Sequence, residues 1–132
     1  MDPTVSNQVA QKKILLVEDE ESIRDLYTRQ LTHDGFIVKA AANGKGGLDL
    51  LKAELFDVLL LDIMLPDMNR LEILRQIKAD NLHPEMKTIM LTNLGQEDLI
   101  KQAFSMGTQG YLIKSSYTPE QISAEVKNLF KM

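Results

Sequence analysis

The chain of 132 residues contains no cysteine. Disulfides, thiolate metal sites and thiol catalysis are therefore excluded. The absence is consistent with a reducing compartment. No apolar stretch approaches the ~20 residues that a membrane-spanning helix needs. The start, Met1-Asp2-Pro3-Thr4, is acidic and polar, unlike a signal peptide. Together these features place the chain in the cytoplasm and away from membranes. There is no run of Lys or Arg, and the formal net charge is −4. That balance argues against a nucleic-acid surface, because phosphate backbones call for basic patches.

What is present is ordinary for a soluble globular protein: 44% hydrophobic and 26% charged residues. The length suits one domain, able to bury roughly two-thirds of its unfolded surface. Residues 1–11 are polar and patternless and are expected to form a disordered arm ahead of one domain spanning 12–132. From there, apolar runs over 13–18, 36–41, 57–62, 87–92 and 109–113 alternate with amphipathic segments. Continuous apolar runs read as strands buried on both faces. The 36–41 run alternates instead, with Phe36, Val38 and Ala40 set against Ile37 and Lys39, which suits an edge strand.

The intervening segments follow helical spacing. Ile23, Leu26, Tyr27, Gln30 and Leu31 line one face. So do Leu71, Leu74 and Ile77, then Leu99, Ala103 and Met106, then Ile122, Val126, Leu129 and Phe130. Thr118-Pro119-Glu120-Gln121 forms a capping box with proline at the first helical position. Asp34-Gly35 and Met106-Gly107 supply helix stops. Five β units alternating with five α units predict an α/β fold with a parallel sheet covered on both faces.

Polar residues stand just past the ends of four strands: Glu18-Asp19, Asp62, Thr92 and Lys114. In open parallel sheets ligands lie outside the carboxyl ends of the strands, where strand order reverses. If the order is 2-1-3-4-5, that of the five-stranded doubly wound form, these ends lie side by side, about 4.8 Å per strand step. Each residue alone has a plainer explanation: an acid pair at a helix start, a loop aspartate, a cap, a solvated lysine. One per strand end, they point to a single site.

Three carboxylates so close repel one another, and a hard divalent cation relieves the repulsion. Mg²⁺ uses one or two carboxylates, phosphate oxygens and waters at about 2.0–2.1 Å. With no His or Cys cluster, Zn²⁺ does not suit. A carboxylate beside such an ion can attack phosphorus, with charge on the phosphoryl oxygens met by the Lys114 ammonium and the Thr92 hydroxyl. The glycine-rich stretch Asn43-Gly44-Lys45-Gly46-Gly47 has the spacing of neither phosphate-binding fingerprint and reads as a pliable helix start. His33 and His83 are isolated and expected at the surface without partners.

The segments Ile14-Leu15-Leu16-Val17-Glu18-Asp19-Glu20, Asp62-Ile63-Met64-Leu65-Pro66-Asp67-Met68, Leu91-Thr92 and Gly110-Tyr111-Leu112-Ile113-Lys114 resemble the receiver domain of two-component response regulators. The resemblance runs from about Lys12 to Phe130. It implies the flavodoxin-like (βα)5 doubly wound sheet of order 2-1-3-4-5. It implies that Asp62 accepts a phosphoryl group from a sensor histidine kinase or a histidine phosphotransfer protein. By analogy Glu18, Asp19, Asp62 and the backbone carbonyl of Met64 hold Mg²⁺, for which Mn²⁺ can substitute. Thr92 and Lys114 contact the acyl phosphate. Thr92 and Tyr111 act as the switch, altering the face of helix 4, strand 5 and helix 5 for a downstream target, an output domain or a phosphorylation-dependent homodimer. The chemistry is self-catalysed phosphotransfer and autodephosphorylation rather than enzyme turnover.

The chain departs from the pattern at four places, one of them Ser116, a position that is often Phe. Ser115 follows Lys114 where proline, often with a cis peptide, is usual. Arg70 stands where Asp-Gly or Asn-Gly is usual, and Asn93 follows Thr92 where a smaller residue is common. Rival readings are a pseudo-receiver that binds partners without phosphate, an excised receiver of a larger DNA-binding regulator, an aspartate-nucleophile phosphatase and a flavin carrier. The phosphatase would want a second Asp at position 64, which is Met64. The flavin carrier would want a Ser/Thr/Gly-rich first loop, whereas Glu18-Asp19-Glu20-Glu21 would repel the phosphate.

Overall fold

In the computed structural model, which describes residues 12–65, 71–80, 83–93 and 96–130, five parallel strands form one sheet in the order β2-β1-β3-β4-β5. The strands are β1 (Lys13–Val17), β2 (Ile37–Ala41), β3 (Val58–Asp62), β4 (Lys87–Thr92) and β5 (Gly110–Ile113). The helices between and after them are α1 (Glu21–His33), α2 (Gly44–Ala53), α3 (Glu72–Ala79), α4 (Glu97–Ser105) and α5 (Pro119–Asn128), with a 3₁₀ turn at Lys114–Ser116. The expected arm over 1–11, Arg70 and the stretch from Pro66 to Met68 lie outside the described residues.

The apolar runs become central strands because helices cover both faces. Every residue of β3 is buried, as are Ile14, Leu15, Leu16 and Val17 of β1. Alternate side chains pass to two cores. Leu15, Val17, Leu59, Leu61 and Met90 face one, which takes in Leu48 and Leu51 of α2 and Leu74 of α3. Ile14, Leu16, Leu60 and Leu91 face the other, with Tyr27 and Leu31 of α1 and Ile122 and Val126 of α5. Strand β2 is the edge: Ile37, Lys39 and Ala40 are exposed while Val38 packs inward.

The helix ends follow the local sequence. Thr118 and Gln121 make the reciprocal capping box at the start of α5, with Pro119 in the first turn. Gly35 (φ 103°) and Gly107 (φ 92°) take the left-handed conformation after α1 and α4. Asn43 caps α2, its Oδ1 accepting from the Gly46 N–H at 2.8 Å. A Cβ on Gly47 would come 2.8 Å from Cγ2 of Val17, so this glycine lets α2 press onto β1.

Two expectations change. Leu26, placed on the buried face of α1, is 52% exposed. The face actually buried centres on Tyr27 and Leu31, and Leu26 falls outside that arc. His83, expected at the surface without a partner, is half-buried. Its Nδ1 accepts from the Phe56 N–H at 3.3 Å and its Nε2 meets the Leu51 carbonyl oxygen. The ring tilts against Phe56 at 6.2 Å between centroids. Those partners, Leu51 in the last turn of α2 and Phe56 in the loop after it, lie far from His83 along the chain, and sequence spacing could not bring them to it.

Asp34 joins α1 to α5. The fully buried Ser123 donates from its Oγ to Asp34 Oδ2 at 2.5 Å, and Gln30 Nε2 donates at 3.1 Å. Burial works against the charge, but these two hydrogen bonds outweigh it and hold Asp34 below the usual carboxylate range. Ser123→Ala is expected to cost about 1.5–3 kcal/mol, as for a hydrogen bond to a charged group. A carboxylate lowered on folding contributes stability that is present above its unfolded value and lost as pH falls through its folded one. The loss in the variant should therefore shrink in acid, as urea unfolding midpoints at several pH values would show.

Candidate functional site

The register sets the site. Val17 of β1 pairs with Leu61 of β3, so Glu18 comes beside Asp62 one residue further on. Asp62 pairs with Leu91, which puts Thr92 one step past it on β4. Thr92 pairs with Ile113, so Lys114 leaves β5 at the same level. All five sequence-predicted polar residues thus sit at the carboxyl ends of adjacent strands.

Lys114 ties the acids together. Its Nζ donates to Glu18 Oε1 at 2.7 Å and to Asp62 Oδ2 at 3.2 Å. The three side chains are 9%, 0% and 4% exposed. One carboxylate oxygen from each of Glu18, Asp19 and Asp62 lies within 4.8 Å of the others. Asp19 is the exposed member, facing solvent, while Glu18 and Asp62 are buried. An all-oxygen donor set of this kind suits a hard divalent cation rather than Zn²⁺.

The acids are held from behind. Glu18 Oε2 accepts from the Glu20 N–H at 3.0 Å, and the Glu18 N–H donates to the Ala41 carbonyl at 3.0 Å. Asp62 Oδ1 accepts from the Met64 N–H at 2.9 Å, folding the loop after β3 back over the aspartate. Burial pushes the Glu18 carboxyl above its ordinary value, and the Asp62 charge adds to this against the Lys114 hydrogen bond. Burial alone would lower the Lys114 ammonium, but the hydrogen bond it donates to Glu18 and the charges of Asp62 and Glu18 outweigh it and raise the group.

Two contributors escaped the sequence reading. Arg24 of α1 donates from one guanidinium nitrogen to the Glu18 carbonyl at 2.9 Å and the Asp19 carbonyl at 3.3 Å, clamping the acidic loop. In sequence it looks like any cation on the polar face of a helix. The spacing of Tyr27 predicts only a place in the core. Its phenol is raised by burial, with Lys114 opposing and Glu18 and Asp62 reinforcing, which brings it within electrostatic reach of the site.

Thr92 is fully buried and its hydroxyl donates to the Asn93 carbonyl at 3.1 Å. Tyr111 points outward, 42% exposed, with its ring edge-on to Phe104 at 6.0 Å. The Lys114–Ser115 peptide is trans. With serine in place of the usual proline, the 3₁₀ turn that begins at Lys114 still delivers its ammonium to both acids.

Residues 14–127 match the family model described as response regulator receiver domain. The chain belongs to the response regulator receiver family. It is 37% identical over 120 residues to the transcriptional regulatory protein CrdR of Helicobacter pylori, covering 91% of this chain and 55% of CrdR. Among solved structures it is similar to a receiver domain protein of Methanospirillum hungatei, with 32% identity, TM-score 0.81 and coverage of 89% of this chain and 92% of that one. It is also similar to the chemotaxis response regulator CheY4 of Vibrio cholerae, with 25% identity, TM-score 0.82 and coverage of 90% and 98%. The receiver spans about half the length of the curated relatives it matches. No helix among the described residues is long and apolar enough to cross a membrane.

Proposed function

We propose that this receiver takes a phosphoryl group from the phosphohistidine of a sensor histidine kinase or histidine phosphotransfer protein onto Asp62. The observation that carries the reading is the Glu18–Lys114–Asp62 arrangement at the strand ends, with Asp19 beside it. A carboxylate oxygen of Asp62 forms the new bond to phosphorus as the phosphorus–nitrogen bond to the imidazole breaks, and the imidazole takes up a proton. Glu18, Asp19, Asp62 and the Met64 carbonyl are the groups to hold Mg²⁺ or Mn²⁺. When bound, the ion offsets the repulsion among carboxylates and phosphoryl oxygens. Lys114 supplies a fixed cation to one phosphoryl oxygen and Thr92 a hydroxyl to another. Moving Thr92 toward the phosphate would vacate space into which Tyr111, now edge-on to Phe104, would turn. That exchange would alter the face of α4, β5 and α5.

The same face would meet a downstream target, a second copy or an output domain. Because curated relatives are transcriptional regulators about twice as long, a DNA-binding output domain is the second reading of how the signal leaves. The intact acids weigh against a phosphate-independent pseudo-receiver.

Incubation with acetyl phosphate and Mg²⁺ is expected to add one phosphoryl mass to the intact protein. A chelator should prevent it, and Asp19→Ala should slow it at least about tenfold. Equal labelling with and without divalent cation would contradict the metal assignment.

A further inference from the structure

The three acids of the cluster are not held alike. Glu18 and Asp62 are buried, and both are tied to the Lys114 ammonium. Each also accepts from a backbone N–H, that of Glu20 for Glu18 and that of Met64 for Asp62. Asp19 is exposed, and its carboxylate makes no hydrogen bond or ion pair among the described residues. Whatever fixes Asp19 therefore acts through its backbone.

The backbone tie comes from Arg24. Its Nη1 lies 2.9 Å from the Glu18 carbonyl oxygen and 3.3 Å from that of Asp19. Two successive carbonyls thus turn their negative ends toward one charged donor, and hydrogen bonds from an ionised donor are the stronger kind. Among the described residues no other hydrogen bond holds Asp19. Helix capping does not substitute for it: Glu20 is the N-cap of α1, but its side chain makes no cap hydrogen bond. Arg24 is itself well anchored. It is half-buried in the first turn of α1, and its N–H donates to the Glu20 carbonyl at 2.9 Å.

Charge and clamp act on a cation in opposite directions. By charge alone a guanidinium near the cluster repels a divalent ion and weakens its binding. By holding the Asp19 peptide in place it spares the ion the entropy of ordering that ligand. Outer partners that orient metal ligands are worth about 10–100-fold in affinity. The repulsion is the smaller effect here, because Arg24 faces the carbonyls of the loop and Asp19 stands in solvent that screens the charge.

On the reading that Glu18, Asp19 and Asp62 hold the ion, we infer that Arg24 is a positioning residue for the divalent cation. It tightens cation binding by fixing the backbone of Asp19, the one acid of the three that nothing else holds.

The test is titration of the ¹⁵N-labelled receiver with Mg²⁺, followed by amide chemical shifts, for wild type, Arg24→Met, Arg24→Lys and Asp19→Ala. Wild type is expected to give saturable shifts around positions 18–20 and 62–64, and Asp19→Ala to lose most of that binding. Arg24→Met should bind Mg²⁺ roughly tenfold more weakly than wild type. Arg24→Lys keeps the charge without the planar guanidinium and should bind at least about threefold more weakly; it carries the test if the methionine variant does not fold. Without metal, amide order parameters at Asp19 and Glu20 should fall in both variants while those of β1 hold. Saturable binding in wild type that the Arg24 variants match or exceed would overturn the positioning role alone, even if their melting temperatures drop. No saturable shift in wild type would overturn the cation site and the role of Arg24 with it.

Discussion

Asp62→Asn is expected to abolish phosphoryl acceptance while leaving the receiver folded. The substituted amide keeps the size of the carboxylate and one carbonyl oxygen to accept from the Met64 N–H, which is 2.9 Å from Asp62 Oδ1. It has no anionic oxygen with which to attack phosphorus, and no neighbouring carboxylate occupies the same position. Glu18 is fully buried, bound to Lys114 and to the Glu20 N–H, and Asp19 lies on the exposed side. Labelling with acetyl phosphate should fall below about one-thousandth of wild type, a loss of more than about 4 kcal/mol in transition-state stabilisation. The amide also removes one negative charge from a crowded site, so thermal stability without divalent cation should hold or rise. A variant that still gains one phosphoryl mass at a comparable rate would remove Asp62 from its role.

Lys114→Met should produce the largest change in stability. The ammonium is the cation shared by two buried carboxylates, at 2.7 and 3.2 Å. Removing one member of a buried ionic cluster leaves uncompensated charge, at about 3–5 kcal/mol in the absence of a divalent ion. The pH dependence separates this from lost packing. Glu18 already binds its proton more tightly in the fold than the ordinary glutamate value of 4.5, through burial and the nearby Asp62. Without Lys114 that elevation grows. A carboxyl raised on folding favours the folded state at low pH, and the benefit is lost as pH rises through the raised value. The variant should therefore come closest to wild type in acid and fall away toward neutrality, and Mg²⁺ should restore part of the deficit at neutral pH. Urea midpoints that differ by the same amount at every pH would indicate packing loss alone.

The central strands were legible because their chemistry is local. A run such as Val58-Leu59-Leu60-Leu61 is apolar on successive residues because both of its faces are covered, and the sheet order then brings Glu18, Asp62, Thr92 and Lys114 together without further information. The capping box at Thr118 and the helix stops at Gly35 and Gly107 are local in the same way. What the sequence hid depends on contacts between distant segments. Arg24 looks like a solvated charge until its guanidinium is seen on the carbonyls of the acidic loop. His83 looks isolated until the end of α2 is laid against it. Leu26 follows the helical period yet misses the buried arc, since periodicity fixes a direction only to within part of a turn. The glycines at 44–47 resemble a phosphate loop in composition, but at Gly47 the requirement is room for Val17.

The most direct measurement is the position of the phosphoryl group. The protein labelled with acetyl phosphate and Mg²⁺ can be reduced with borohydride, which converts an aspartyl phosphate to homoserine, and its peptides mapped by mass. The account predicts homoserine at position 62 and nowhere else. An unreduced aspartate at 62, with the phosphoryl group on Asp19 or on a hydroxyl side chain, would contradict it.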